Sequence, residues 1–278
     1  MNPDKEGARE TAEAICQYLV SRGADCVIGE NNKKESRPGS HYTDSSMVPE
    51  DTECIITLGG DGTLIQAARD LAGRNIPILG INRGTLGYLT QISHTEEMEQ
   101  ALSALLTGDY KLEERMMLGG TILRGGEPVF RDIALNEIVI IRNEHLKVLK
   151  FKVYVNGEYF NEYRADGLIA ATPTGSTAYN LSAGGPILVP DSQMVVLTPI
   201  CSHVLGTRSI VLSSDDCIRV EMMGQDDVCQ AAVFDGDTQT RLYPGDVIEI
   251  GRAEIKTILV KLKNISFLDN LRNKMTGI

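Results

Sequence analysis

Read for apolar and polar positions alone, the chain changes its period near Glu113. Before that point helical stripes alternate with short apolar runs. Ala8, Ala12, Ile15, Cys16 and Leu19 recur at helical spacing between Lys5 and Arg22, with Pro3 suited to the helix start and Gly23 to its end. Asp25–Ile28 reads as a short strand. Glu30–Asp51 is polar and without period, which predicts a mobile flap or a disordered segment. Cys54–Leu58 predicts a strand and Thr63–Ala72 a helix stopped by Gly73. Ile76–Asn82 is a second buried parallel strand, running into the glycine-rich turn Arg83–Gly87. Ser93 and Glu96 form a capping box for a helix with Met98, Ala101, Leu102, Leu105 and Leu106 on one face, ended by Gly108.

From Glu113 onward the pattern is strands joined by turns. Met116–Leu123, Ile133–Ile141 and Phe151–Val155 predict strands, with a Gly125-Gly126 turn after the first. Asn156-Gly157 is a two-residue hairpin signal, with Glu158–Tyr163 as the returning strand. Met194–Leu197, Ser209–Leu212, Cys217–Met222, Ala231–Phe234, Val247–Ile250 and Thr257–Leu262 follow as strands, and Phe267–Met275 as a weak helix. The expected fold is an α/β N-terminal domain, a parallel sheet with flanking helices over residues 1–113, plus a β-rich C-terminal domain over residues 114–264. An α/β domain as a rule opens with an apolar strand feeding its first helix. Here only Met1-Asn2 precede Pro3, so either that strand is missing or the sheet manages without it.

Composition narrows the function. No stretch is apolar for long enough to span a bilayer and no signal peptide opens the chain, so no membrane partner is expected. The six cysteines are scattered without a Cys-x-x-Cys pair, and the four histidines are equally dispersed. Disulfides and a zinc site are therefore not expected, and a reducing cytoplasm fits best. A formal net charge of −11 argues against nucleic acid as a partner. Small phosphorylated ligands would have to be held by local amides and metal ions against that field, which favours Mg²⁺.

Three stretches carry candidate chemistry. In Ile55–Leu64 an apolar β-branched run stops at Gly59-Gly60-Asp61-Gly62-Thr63, and a helical pattern follows at once. Glycines let a ligand approach the main chain, and a helix N-terminus offers unpaired amides and partial positive charge to a phosphate. The carboxylate of Asp61 in the middle suits a hydroxyl or a Mg²⁺ ion beside that phosphate, which points to phosphoryl transfer to an alcohol. The plain alternative is a tight strand-to-helix turn. Asn136-Glu137 interrupts an apolar run, either as a bulge or outward-facing edge or because the pair meets a ligand. Arg164–Asn180 runs from an acidic turn through a buried strand into a hydroxyl-rich glycine loop whose three hydroxyls are expected to face whatever it surrounds. No Lys follows Gly175, Gly-x-Gly-x-x-Gly is absent, and no His lies near Ser176.

Together these residues resemble the signature of the NAD kinases. Gly59–Thr63, Asn136-Glu137, and Asp166-Gly167 leading into Thr172–Tyr179 carry the resemblance, with Asn82–Leu89 and Ser182–Pro186 matching in order and spacing. It covers roughly residues 2 to 278. The resemblance implies transfer of the terminal phosphoryl of ATP to the 2′-hydroxyl of the adenosine ribose of NAD, with Mg²⁺ or another divalent cation. Asp61 would be the candidate base, with Gly60, Gly62 and Thr63 at the phosphate. Ile65 and Tyr88 would line the pocket, although Tyr88 reads equally as a core tyrosine. Asn136 and Glu137 would hold the nucleoside, and Asp166, Thr174, Thr177, Ala178 and Tyr179 the rest of the dinucleotide. Asp235 matches a further turn of the family, but it and Asp237 read equally as hairpin residues. Arg164 is weakly associated with preferring NAD over NADH. His203 reads as a capping or core residue.

The family fold further implies a substrate cleft between two domains, residues 265–278 rejoining the first domain, and a homotetramer or homodimer. Two departures stand out. Relatives carry an opening apolar strand before Asn-Pro, whereas Met1 stands directly before Asn2-Pro3 here; a late start would explain that, and a strand truly absent would remove pairing at the centre of the N-terminal sheet. Cys201-Ser202-His203 replaces commoner residues on one wall of the pocket. Diacylglycerol, sphingosine and phosphofructo-kinases share the opening turn, so a kinase of another alcohol, lipid or sugar, stays open at this point. So does a non-catalytic pyridine-nucleotide-binding protein, as does polyphosphate as an alternative donor.

Overall fold

The structure, a computed structural model, describes residues 7–29, 43–82, 87–92, 95–143, 147–204, 206–224, 230–262 and 266–276. Asn2-Pro3, the first part of the polar segment after Glu30, Arg83–Leu86 and the side chains of Ser93 and Glu96 lie outside the described residues. The early elements are α1 (Ala8–Val20), β1 (Ile55–Leu58), α2 (Asp61–Asp70), β2 (Ile78–Ile81) and α3 (Thr95–Thr107). Then come β3 (Lys111–Arg124), β4 (Glu127–Ala134), β5 (Glu137–Arg142), β6 (Leu149–Val155), β7 (Glu158–Ala165) and β8 (Gly167–Ala171). After α4 (Tyr179–Ser182) follow β9 (Met194–Ile200), β10 (Ile210–Ser213), β11 (Ile218–Met223), β12 (Gln230–Phe234), β13 (Thr238–Leu242), β14 (Val247–Lys261) and α5 (Phe267–Thr276). These form two compact units, Met1–Glu114 with Thr257–Ile278, and Arg115–Lys256.

The first unit is α/β. Strands β1 and β2 run parallel with Ile55 opposite Ile78, and β2 pairs in parallel with the end of β14 at Leu259. All four residues of β2 are buried, as a parallel strand covered on both faces requires. The apolar stripe of α1 (Ala12, Ile15, Leu19) joins Leu58, Leu79, Ile81, Ala101, Leu102 and Val260 in one cluster. Among the described residues β1 has a strand partner on one side only.

Two expectations fail in this unit. Asp25–Ile28 is not a strand: Val27 is 74% exposed, and only Cys26 of this stretch reaches the core cluster. The later part of the segment read as a flap is tied down. The Arg74 guanidinium donates to the carbonyls of Ser45, Val48 and Pro49, and the Asp70 carboxylate accepts the Thr43 N–H at 2.9 Å.

The second unit is a sandwich of antiparallel strands. One sheet has the order β10-β9-β8-β5-β12-β13. The other contains β14-β11-β6-β7, joined by the β3–β4 hairpin through β14. Their inner faces share one core, in which Ile138, Ile140, Leu168, Leu197 and Phe234 meet Leu118, Phe151, Val153, Val220 and Ile248. The outer face of the first sheet is covered too: Val139, Ile169, Ala171 and Val196 pack with Ala183 and Leu188. Every residue of β8 is buried for that reason. The Asn156-Gly157 turn has φ of 52° and 83°, as a two-residue hairpin of the primed kind demands.

Three strand readings need correction. Ile133–Ile141 is two strands, broken at Leu135-Asn136. Val247–Ile250 and Thr257–Leu262 belong to one strand, β14, whose middle alternates between exposed and half-buried residues instead of forming a loop. Thr238–Leu242, too polar to stand out in the sequence, pairs with all of β12.

Candidate active site

In the first unit the site residues gather at the start of α2. The helix opens at Asp61 itself, two residues earlier than its apolar period indicates, with Gly60 as N-cap. Gly59 has φ of +157°, and a Cβ added there would lie 2.2 Å from Thr63 Oγ1, so the turn itself requires that glycine. Gly60 and Gly62 differ. Neither has positive φ, and an added Cβ would meet no protein atom within 4 Å. Nothing in the polypeptide demands glycine there, and both positions leave the first-turn amides open to a ligand.

The Asp61 carboxylate is clamped by the segment after the second glycine turn. Oδ2 accepts the N–H of Tyr88 at 2.7 Å, and Oδ1 accepts the N–H groups of Leu89 and Thr90 and the Thr90 hydroxyl at 3.0–3.2 Å. Three main-chain donors fix its direction, and Oδ2, with one partner, keeps a lone pair for another group. The clamp closes this tightly because residue 87 is glycine: a Cβ there would stand 1.9 Å from Oδ1. Tyr88 is half-buried, its phenol pushed up by burial and by Asp61. Lys274 of α5 lies over its ring, 5.7 Å from the centroid. Ile65 is half-buried one turn into α2.

In the second unit the break between β4 and β5 is built around Asp235. This residue sits at φ +50° in the β12–β13 turn, and its carboxylate accepts the N–H groups of Leu135, Asn136 and Glu137 at 2.7, 2.8 and 3.0 Å. Three consecutive amides turned toward one carboxylate cannot continue a ladder, which is why the strand stops there. Alternation along β5 then puts Ile138 and Ile140 in the sandwich core and Glu137 on the other face, opposite Ala171 of β8. Glu137 is 7% exposed and its Oε2 has no hydrogen-bond partner. Burial first, then the Asp235 charge, pushes its carboxyl up to about 8.

The hydroxyl-rich loop lies directly against this corner. Thr172 donates its hydroxyl to the Leu135 carbonyl at 2.6 Å and its N–H to the Asn136 carbonyl at 2.8 Å. A Cβ on Gly175 would stand 2.1 Å from Asn136 O. Two distant sequence signals therefore form one structure. The loop hydroxyls, expected to face whatever the loop surrounds, are instead engaged with protein groups. Ser176 donates to the Pro173 carbonyl and accepts the Leu188 N–H, Thr177 donates to the Thr174 carbonyl, and Thr174 accepts from buried Arg115. They hold the loop itself, leaving Asn136, half-buried Ala178 and 38%-exposed Tyr179 on its open side. Burial, and then the nearby Cys201, Asp166 and Glu137, raise the Tyr179 phenol.

Asp166 is held by Arg142, whose Nη2 donates to Oδ2 at 3.0 Å. Arg164 stands exposed on β7; its carbonyl accepts the His203 N–H, and His203 itself is exposed, not a core residue. Sequence reading missed Arg142, Arg115, Thr90 and Lys274. Each is an isolated polar residue whose role depends on a partner far along the chain, and only a charge ending an apolar run marked Arg142.

Among the described residues no three His, Cys, Asp or Glu side chains converge. The single open carboxylate oxygen of Asp61 fits a divalent cation held chiefly by substrate phosphates and not an all-protein cage. Among the described residues no helix is long and apolar enough to cross a membrane.

Comparison with known proteins adds independent findings. The ATP-NAD kinase N-terminal domain family matches residues 1–110, and the ATP-NAD kinase C-terminal domain family residues 135–262. An NAD kinase of Lachnospira eligens is 45% identical over 99% of this chain and 96% of its own length. One of Lachnoclostridium phytofermentans is 40% identical over 98% and 96%. Among solved structures, an NAD kinase from Archaeoglobus fulgidus in complex with ATP superposes with a TM-score of 0.75 at 26% identity, covering 96% of this chain and 94% of that one. Yeast NADH kinase complexed with NADH gives the same TM-score at 27% identity, covering 83% and 70%.

Proposed function

The chain belongs to the NAD kinase family, and from that premise we infer how its residues divide the transfer of the terminal phosphoryl of ATP to the 2′-hydroxyl of the adenosine ribose of NAD. The observation that carries the reading is the clamped Asp61 at the mouth of α2, a carboxylate held in one direction beside amides suited to phosphate. Asp61 Oδ2 takes the proton of the attacking hydroxyl. A loose phosphoryl-transfer transition state asks mainly for positioning, so a well-held carboxylate supplies what the step requires. Gly60, Gly62 and Thr63 bring main chain and a hydroxyl to the phosphates, with Ile65 and Tyr88 beside them.

Asn136 and Glu137 hold the nucleoside, and Asp166, Ala178 and Tyr179 the remainder of the dinucleotide, on a loop that Thr174 and Thr177 hold in place. Asp235 acts through the amides of Leu135–Glu137, and Arg164 bears on the choice between NAD and NADH. In this reading the Asp61 unit is the phosphoryl-transfer domain and the Asn136 unit the dinucleotide domain. Mg²⁺, when bound, neutralises charge on the donor phosphates, and Asp61 is the protein group placed to share it. The free thiols of Cys16, Cys26, Cys54, Cys201 and Cys217 fit a cytoplasmic setting. A homodimer or homotetramer is the expected assembly, measurable by light scattering.

The test is NADP formation from NAD, ATP and Mg²⁺. Asp61→Asn is expected to fold and lose turnover. Turnover of diacylglycerol or a sugar with none of NAD would instead establish a kinase of another alcohol.

A further inference from the structure

Glu137 and Asp235 are two acids with opposite surroundings. Both Asp235 oxygens are occupied by main-chain donors, so it carries its negative charge in a fitted nest. Glu137 is buried beside it with Oε2 unpartnered. In an ionised carboxylate that Oε2 would have surrendered water without receiving a donor in return. The groups that face it offer no relief. Asp235, from the β12–β13 turn, is an anion, and Tyr179, from the start of α4, is a phenol within electrostatic reach. Ala171 lies opposite on β8. The arginines of the surrounding elements have other partners, Arg115 at Thr174 and Arg142 at Asp166.

We propose that Glu137 enters dinucleotide binding as the neutral acid and donates a hydrogen bond from its carboxyl group to an acceptor atom of NAD. This rests on the reading that the Asn136-Glu137 corner holds the nucleoside, and it names the chemistry of that contact. A neutral carboxylic acid both donates and accepts, whereas a carboxylate only accepts. A neutral group also spares the anionic dinucleotide a second charge next to Asp235. The upward push on the carboxyl to about 8 agrees with this assignment.

The experiment measures NAD affinity by calorimetry from pH 6 to 9.5 for the wild type and Glu137→Gln, with melting temperatures of both in the same buffers. Wild-type affinity should fall above a break near the Glu137 titration, approaching about tenfold per pH unit. The glutamine variant should show no break, whatever its absolute affinity. Its melting temperature relative to wild type should climb between pH 6 and about 8 and level off above that. Wild-type affinity that stays flat to pH 9.5, or a break retained in Glu137→Gln, overturns the proposal. A wild type that binds no NAD at any pH, with the melting difference still tracking pH, overturns the nucleoside-site reading on which the donor role rests. A melting difference independent of pH overturns the neutral acid itself.

Discussion

Replacing Gly87 by alanine tests the clamp on Asp61 without touching any group that takes part in the chemistry. The added methyl would stand 1.9 Å from Asp61 Oδ1, 2.5 Å from its Cγ and 2.4 Å from Thr90 Oγ1, where ordinary contact begins at 3.4 Å. The carboxylate must therefore retreat by about 1.5 Å, because the residue-87 side is main chain. It gives up its bonds to the Leu89 and Thr90 amides as it goes. A misplacement of about 1 Å costs roughly 100-fold in rate, equivalent to about 3 kcal/mol of barrier. Weakened hydrogen bonds on a half-buried carboxylate remove about 1–2 kcal/mol of stability, so the variant should still fold at 25 °C. Steady-state NADP formation at saturating NAD and ATP, beside a thermal melt, separates the two effects. Gly87→Ala with kcat within threefold of wild type and a native melt would refute the view that the direction of this carboxylate governs the reaction.

Four further outcomes follow from the same geometry. Gly60→Ala should leave the melt unchanged, since its methyl meets no protein atom within 4 Å, yet raise KM for ATP about tenfold or more by occupying phosphate space; an unaltered KM would count against the phosphate assignment. Gly175→Ala drives a methyl to 2.1 Å from Asn136 O and prises apart the two Thr172 bonds, so urea denaturation should show a loss of about 3–5 kcal/mol together with weaker NAD binding. Arg124→Ala removes bonds of 2.9 and 2.8 Å to Asp246, whose side chain is 2% exposed and keeps the Tyr243 N–H, and should cost about 1–2 kcal/mol in the same assay without moving KM for either substrate. Glu137 gives stability a pH slope of definite sign. Between its ordinary value of 4.5 and about 8 the unfolded chain has released a proton that the folded chain retains, so stability falls as pH rises through that window by a few kcal/mol, and Glu137→Gln should abolish that slope.

Features written in consecutive residues were legible in the sequence. The apolar run before Gly59, the hairpin at Asn156-Gly157 and the helical stripe of α1 each follow from local chemistry. What escaped depends on partners far along the chain. Ile133–Ile141 reads as one strand because its apolar residues continue on both sides of Asn136-Glu137; the break comes from Asp235, nearly a hundred residues later. The polar residues near Thr43 read as a flap because the Arg74 guanidinium that holds their neighbours lies beyond a strand and a helix. Thr238–Leu242 has too little apolar content to signal a strand, and gains its place from the ladder with β12. In the site, residue types were readable but their directions were not. The loop rich in threonine and serine announces hydroxyl chemistry, yet those hydroxyls fasten the loop to itself and to the Asn136 corner.

Strand β14 enters the first unit only at Thr257, where Leu259 pairs with Ile78 and Val260 joins the core with Leu58 and Leu79. On the ribosome, β1 and β2 therefore wait for the far end of β14. The first unit cannot complete its sheet until Leu259 has been made, whereas Arg115–Lys256 is finished earlier as one uninterrupted stretch. A stop between Lys256 and Leu259 would consequently spare the sandwich and cripple the unit built on β1 and β2.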